Sequence, residues 1–119
     1  MSPKDIKNLI EKSLDADKAV DVNTIDLNGQ SPLADYMIIA SGTSSRHVGA
    51  LAQKIRDILE SRGFSNIRLE GIAQSDWVIV DAGDVIVHLF RPEVRTFYNI
   101  EKMWGPYGGF NVVGQQVTA

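Results

Sequence analysis

The chain predicts an α/β fold, a single domain with a mixed β-sheet of about five strands and helices packed on it. Three observations carry that expectation. Val48, Leu51, Ala52, Ile55, Ile58 and Leu59 recur at i, i+3, i+4 and i+7, the stripe of an amphipathic helix. Asp35-Tyr-Met-Ile-Ile-Ala-Ser41 is a short run, apolar enough for a central strand. Trp77-Val-Ile-Val-Asp81 and Val85-Ile-Val-His-Leu-Phe90 flank the connector Asp81 to Asp84, whose glycine is Gly83, and this pattern is a β-hairpin signal.

The elements follow in order. Ser2-Pro3-Lys4-Asp5 starts a helix, with Ser at the N-cap, Pro at the first helical position and Asp three residues on. Ile6, Leu9, Ile10 and Leu14 give that helix its apolar face. Residues 19–25 alternate and predict a first strand, after which Asn28-Gly29 and Ser31-Pro32 mark a loop. Gly42-Thr-Ser-Ser45 ends the second strand and caps the next helix, which Gly63 stops. Residues 64–69 predict a third strand, and the hairpin supplies the fourth and fifth. Pro92 opens a last helix expected to run to about Trp104. The second strand, the helix and the third strand form a right-handed crossover unit if the two strands are parallel. The domain is assigned to residues 1–104. Residues 105–119 are rich in Gly and lack any period, so they read as a flexible tail, ordered only if it docks.

Bulk composition narrows function. No run approaches the eighteen or so apolar residues of a membrane span, and the N-terminus shows no secretory signal. With no cysteine, disulfides, thiolate metal sites and cysteine nucleophiles are excluded. The expected location is the cytoplasm. Twelve Lys and Arg are outnumbered by fifteen Asp and Glu, giving a net charge of −3, and the basic residues form no run. Broad nucleic-acid binding is disfavoured, because gripping phosphates needs a basic patch. A basic protein surface is the better electrostatic match.

Candidate sites divide between chemistry and contact. Asp81 and Asp84 are close enough in sequence to share a divalent cation, yet Asp in a hairpin connector more commonly binds backbone N–H groups. No further ligand stands at a motif spacing. Ser41-Gly-Thr-Ser-Ser45 lacks the glycine pattern of a phosphate loop, so helix capping is the better reading. His88 shares a face with Ile86 and Phe90 and reads as a core histidine with a hydrogen-bond partner. Arg46 and His47 read as solvated or interface residues. No nucleophile, base and orienting group assemble, and no catalytic residue, metal or cofactor is assigned. Trp77 and Tyr98 are instead of the type that anchors interfaces, with Arg95 and the acids Asp76, Glu70 and Glu101 around them.

Taken together, Asp35-Tyr-Met-Ile-Ile-Ala-Ser-Gly42, Ser45-Arg-His47, Glu70-Gly71, Trp77 to Asp81, Gly83 to His88, then Glu93, Arg95, Tyr98, Ile100, Glu101 and Trp104 closely resemble the ribosomal silencing factor (Iojap-like) family. The likeness covers residues 6–104. The resemblance implies a nucleotidyltransferase-like topology without enzymatic activity; Thr43 to Val48 lacks the paired carboxylates of active nucleotidyltransferases. It implies binding to the large ribosomal subunit through its protein number fourteen, with little direct nucleic-acid contact. Docking there would block association with the small subunit and repress translation under nutrient limitation, and the free protein would be a homodimer. On this reading the partner-binding residues are Trp77, Tyr98, Asp76, Glu70, Arg95 and Glu101, and Asp81, Gly83, Asp84, His88 and Trp104 are scaffold. The competing class is a nucleotide- or metal-dependent enzyme using Asp81, Asp84 and His88, separable by calorimetry with Mg²⁺, Mn²⁺ and nucleoside triphosphates.

Overall fold

The computed structural model describes residues 2–71 and 76–100. Eight elements follow one another: α1 (Pro3–Ala16), β1 (Val20–Asp26), β2 (Tyr36–Ser41), α2 (Ser45–Ser61), β3 (Arg68–Glu70), β4 (Trp77–Asp81), β5 (Val85–Phe90) and α3 (Pro92–Tyr98). One five-stranded sheet forms in the order β1-β2-β5-β4-β3, and only the β2–β5 pair is parallel. The α/β mixed sheet expected from the sequence is therefore observed.

Helix ends obey their local chemistry. At α1 a full capping box forms: Ser2 Oγ accepts from the Asp5 N–H, and the Asp5 carboxylate accepts from the Ser2 N–H, both at 3.2 Å. At α2, Ser44 is the N-cap and accepts the His47 N–H at 3.1 Å. Gly63 has φ +96° just past the end of α2. Its N–H and that of Phe64 return to the carbonyls of Glu60 and Leu59, at 3.1 Å each, which closes the helix in a Schellman turn.

Two expectations need correction. The third strand is Arg68–Glu70 rather than 64–69. Phe64 is committed to the helix stop, and β4 offers Arg68 its last partner, Asp81, before turning into the hairpin. β2 and β3 run parallel, the condition set for the β2–α2–β3 crossover, with β5 and β4 between them. The final helix, expected to run to about Trp104, closes as α3 at Tyr98, where Asn99 takes a left-handed φ of +52° and returns its N–H to the Arg95 carbonyl; residues 101–104 lie outside the described residues.

Sheet periodicity sorts the core into two layers. Ile38, Ala40, Val78, Val80, Val85, Val87 and Leu89 face Ile6, Ile10 and Leu14 of α1 and Val48, Leu51, Ile55 and Leu59 of α2. On the opposite face Leu27, Met37, Ile39, Phe90 and Ile100 form a second cluster, joined by Ile25, Val94 and Trp77. Buried on both faces, β2 is a central strand, as its composition predicts. Among the described residues, two helices cover the first face and α3 packs at one end of the second, where the candidate site lies.

Candidate functional site

The residues of this second face can be read from the pairing. Trp77 is opposite Phe90, Ile79 opposite His88, and Asp81 opposite Ile86. On the outer side Glu70 pairs Ile79 and Arg68 pairs Asp81. Side chains two apart share a face, so Trp77, Ile79 and Asp81 line up beside Phe90, His88 and Ile86. Trp77, Ile79, Ile86 and His88 are half-buried, whereas Phe90 is fully buried.

Three rings form the centre. The Trp77 and Phe90 centroids are 4.9 Å apart, Trp77 and His88 5.9 Å, and His88 stacks on Phe90 at 6.1 Å. Trp77 Nε1 donates to His88 Nδ1 at 3.0 Å. That bond requires Nδ1 to be unprotonated, so the neutral ring carries its proton on Nε2. Burial reinforces the neutral form and pushes the His88 pKa down to about 4. His88 has the hydrogen-bond partner expected of it, Trp77, and is half-buried on the sheet face rather than enclosed in the core.

A pH dependence follows. The unfolded chain takes up a proton at His88 near pH 6.5, the folded chain only near 4. Stability is therefore unaffected above about pH 6.5 and is lost as pH falls from there toward 4, by about 2 kcal/mol at pH 5. Urea unfolding at pH 7.5 and 5 is expected to show this loss in the native chain and not in His88→Gln, whose amide still accepts from Trp77. Equal losses in both would refute it.

The carboxylates at the hairpin serve the turn. Asp81 accepts the Gly83 N–H at 2.9 Å and the Arg68 guanidinium at 3.0 Å, and these contacts hold its carboxyl below the ordinary value. Gly83, at φ +85°, gives the connector its left-handed step. The Asp84 side chain is exposed, and its carbonyl accepts the N–H groups of Asp35 and Tyr36, tying the loop before β2 to the hairpin. Among the described residues no three His, Cys, Asp or Glu side chains group so as to hold a metal ion.

Around the rings, the nominated contact residues occupy different stations. Asp76, directly before Trp77, accepts from Ser45 Oγ at 3.1 Å and from Arg91 Nη1 at 3.2 Å, while its carbonyl takes the Arg91 N–H. It joins the starts of α2, β4 and α3. Arg91 also pairs with Glu93. Arg95 Nη1 donates to the Asp21 carbonyl at 2.8 Å and to Ser41 Oγ at 2.9 Å. Asp21, at φ +52°, sits in the bulge where β1 slips register against β2, so Arg95 ties α3 to that irregular strand. Glu70 is exposed on β3. Tyr98 is the last residue of α3; Glu101 and Trp104 lie outside the described residues. Sequence reasoning missed Phe90 as the platform for Trp77, although hairpin register would have paired them. It also missed His47, which accepts the Thr43 N–H on Nδ1 and reaches the Asp17 carbonyl through Nε2 at 2.8 Å, bracing α2 against the end of α1.

An aromatic-centred sheet face, fringed by acids and guanidinium groups, is of the kind suited to contact with a partner rather than to catalysis. A family model described as "Ribosomal silencing factor during starvation" matches residues 1–117. The Zymomonas mobilis protein named Ribosomal silencing factor RsfS is 52% identical over 103 residues, 87% of this chain and 77% of that protein. A crystal structure of a Chromobacterium violaceum protein superposes with a TM-score of 0.85 at 39% identity, covering 88% of each chain. The Mus musculus protein named Mitochondrial assembly of ribosomal large subunit protein 1 is 33% identical over 82% of this chain and 44% of its own length. The chain belongs to the ribosomal silencing factor family, whose role is ribosome-associated regulation of translation rather than catalysis.

Proposed function

We propose that this chain represses translation by docking on the large ribosomal subunit, through its protein number fourteen, and sterically blocking the small subunit. The observation that carries the reading is the half-buried Trp77, held on Phe90 and His88 on the sheet face away from α1 and α2. A rigid aromatic of this kind supplies contact area at low entropic cost and is enriched at interface hot spots. Trp77, Tyr98, Asp76, Glu70 and Glu101 supply the contact, and Arg95 sets the helix that carries Tyr98. The excess of acids favours a basic protein over ribosomal RNA. Family membership and the mouse relative's name, which refers to the large ribosomal subunit, support the choice of subunit. No described helix is long and apolar enough to cross a membrane; the protein acts in the cytoplasm and is a homodimer when free.

Blocking a joint needs bulk and affinity only. About 800 Å² per partner makes an interface of standard size, which one face of a small domain can supply. A pull-down with purified large subunits, alongside isolated protein number fourteen, is expected to show saturable binding to both. Capture of the subunits without binding to the isolated protein would redirect the contact elsewhere on the subunit.

A further inference from the structure

Trp77 begins β4, and the residue opposite it in the hairpin, Phe90, ends β5. One step beyond this last ladder pair, Asp76 and Arg91 meet twice. The Arg91 N–H donates to the Asp76 carbonyl at 3.1 Å, and Arg91 Nη1 donates to Asp76 Oδ1 at 3.2 Å. Phe90 is fixed independently, since it is fully buried and its carbonyl accepts the Gly42 N–H at 2.9 Å. On the other side of β4, the ladder with β3 reaches only to Ile79, two residues short of Trp77. Arg91 therefore ties the end of the hairpin farthest from its turn. Its carbonyl also accepts the N–H groups of Val94 and Arg95, both at 3.0 Å, which starts α3, the helix that ends at Tyr98. A single residue thus joins the start of β4 to the start of α3.

We infer that Arg91 is a positioning residue for docking: it locks the strand end that carries Trp77 and the helix that ends at Tyr98 into one fixed arrangement. The inference rests on the reading of those two residues as ribosomal contacts. A ladder's last pair has hydrogen-bonded neighbours in one direction only, and such ends open first. An ion pair between partly exposed side chains adds little to stability. Here it acts on order instead, because an indole already fixed in place loses less freedom on binding and so binds more tightly. Charge separates this role from a direct one. A basic partner repels a guanidinium, so removing Arg91 as a bare charge would tighten binding, whereas removing it as a positioning residue weakens binding.

The test is a double-mutant cycle in the full chain. Affinity for purified large subunits is measured for Arg91→Met and for the milder Arg91→Lys, each with Trp77 present and in Trp77→Ala. Near-ultraviolet circular dichroism in a Trp104→Phe background, where Trp77 is the sole tryptophan, reports the order of the indole, and far-ultraviolet circular dichroism checks the fold. Arg91→Met is expected to weaken binding about fivefold beside Trp77 but only about twofold in Trp77→Ala, where Tyr98 alone still depends on it. It is also expected to reduce the Trp77 signal. Arg91→Lys keeps a cation beside Asp76 and is expected to retain most of both the affinity and the signal. Unchanged or tighter binding by Arg91→Met would overturn the inference. An equal loss in both Trp77 backgrounds would overturn it too, because Arg91 would then be a direct contact, and so would an unchanged Trp77 signal. If neither the unsubstituted chain nor any variant binds subunits, the docking reading fails, and the Trp77 signal alone still decides whether Arg91 holds the indole.

Discussion

Replacing Trp77 with alanine is expected to weaken binding to the large ribosomal subunit at least tenfold, about 1.4 kcal/mol. The substitution removes the indole from its place on Phe90, 4.9 Å away, and leaves His88 Nδ1 without its 3.0 Å donor. Both losses act on one sheet face. The layer between the sheet and helices α1 and α2 contains neither residue, so the domain keeps its principal core. Some stability is nevertheless lost, because a half-buried aromatic and a polar contact disappear together. Trp77→Phe separates the contributions: an aromatic ring stays on Phe90 while the indole N–H is gone. Affinity is expected to fall less in that variant than in Trp77→Ala. Unchanged affinity of a folded Trp77→Ala chain would remove this residue from the contact.

Gly71→Ala has the largest expected effect on stability, although the residue is exposed. Gly71 has φ +81°, and a Cβ there would stand 2.3 Å from the Trp77 carbonyl oxygen, a backbone atom that cannot swing aside. The left-handed backbone costs an alanine about 1 kcal/mol. The clash adds to that by forcing β3 and β4 apart where Trp77 begins its strand, for a total of about 3 kcal/mol. A domain of this size loses about 4 °C in Tm per kcal/mol, so a drop of about 12 °C is expected by calorimetry. Gly29→Ala is the matched control. Its φ is also +81°, but nothing lies within 4 Å of the added carbon. Equal losses at the two positions would show that the approach to Trp77 contributes nothing.

Much of this fold is legible in the sequence because local rules and tertiary packing agree. The capping box at Ser2, the stripe from Val48 to Leu59 with Gly63 beyond it, and the hairpin at Asp81 to Asp84 are read correctly from short windows. Where partners decide, local reading falls short. Phe64 to Ile67 have strand-like composition, but β4 runs out of residues to pair with them. The placement of β5 and β4 between β2 and β3 is likewise set by burial of Val85, Val87 and Leu89 beneath α1 and α2, which no local window contains. The break at Asn99 depends on one left-handed residue inside a pattern that otherwise reads as helical.

The site was legible in part for the same reason. Trp77 and His88 stand out by residue type, and alternation places His88 with Ile86 and Phe90. Their mutual contact depends on register across the hairpin. The ties of Asp76 to Ser45 and Arg91, and of Arg95 to Asp21 and Ser41, span 15 to 74 residues of sequence and carry no local signal. The family resemblance includes Ser41, Ser45 and Arg95 but not Asp21, Asp76 or Arg91; the structure shows that these six clamp the ends of α2, α3, β1 and β2 around the aromatic face.

Subunit joining is the most direct measure of the central claim. Purified small and large subunits are mixed with increasing amounts of this chain, and the joined ribosome is followed by sedimentation. Joined ribosomes are expected to decline as the chain approaches saturation, with the chain itself migrating with the large subunit. Undiminished joining at saturating chain, with the chain bound to the large subunit, would contradict steric blocking.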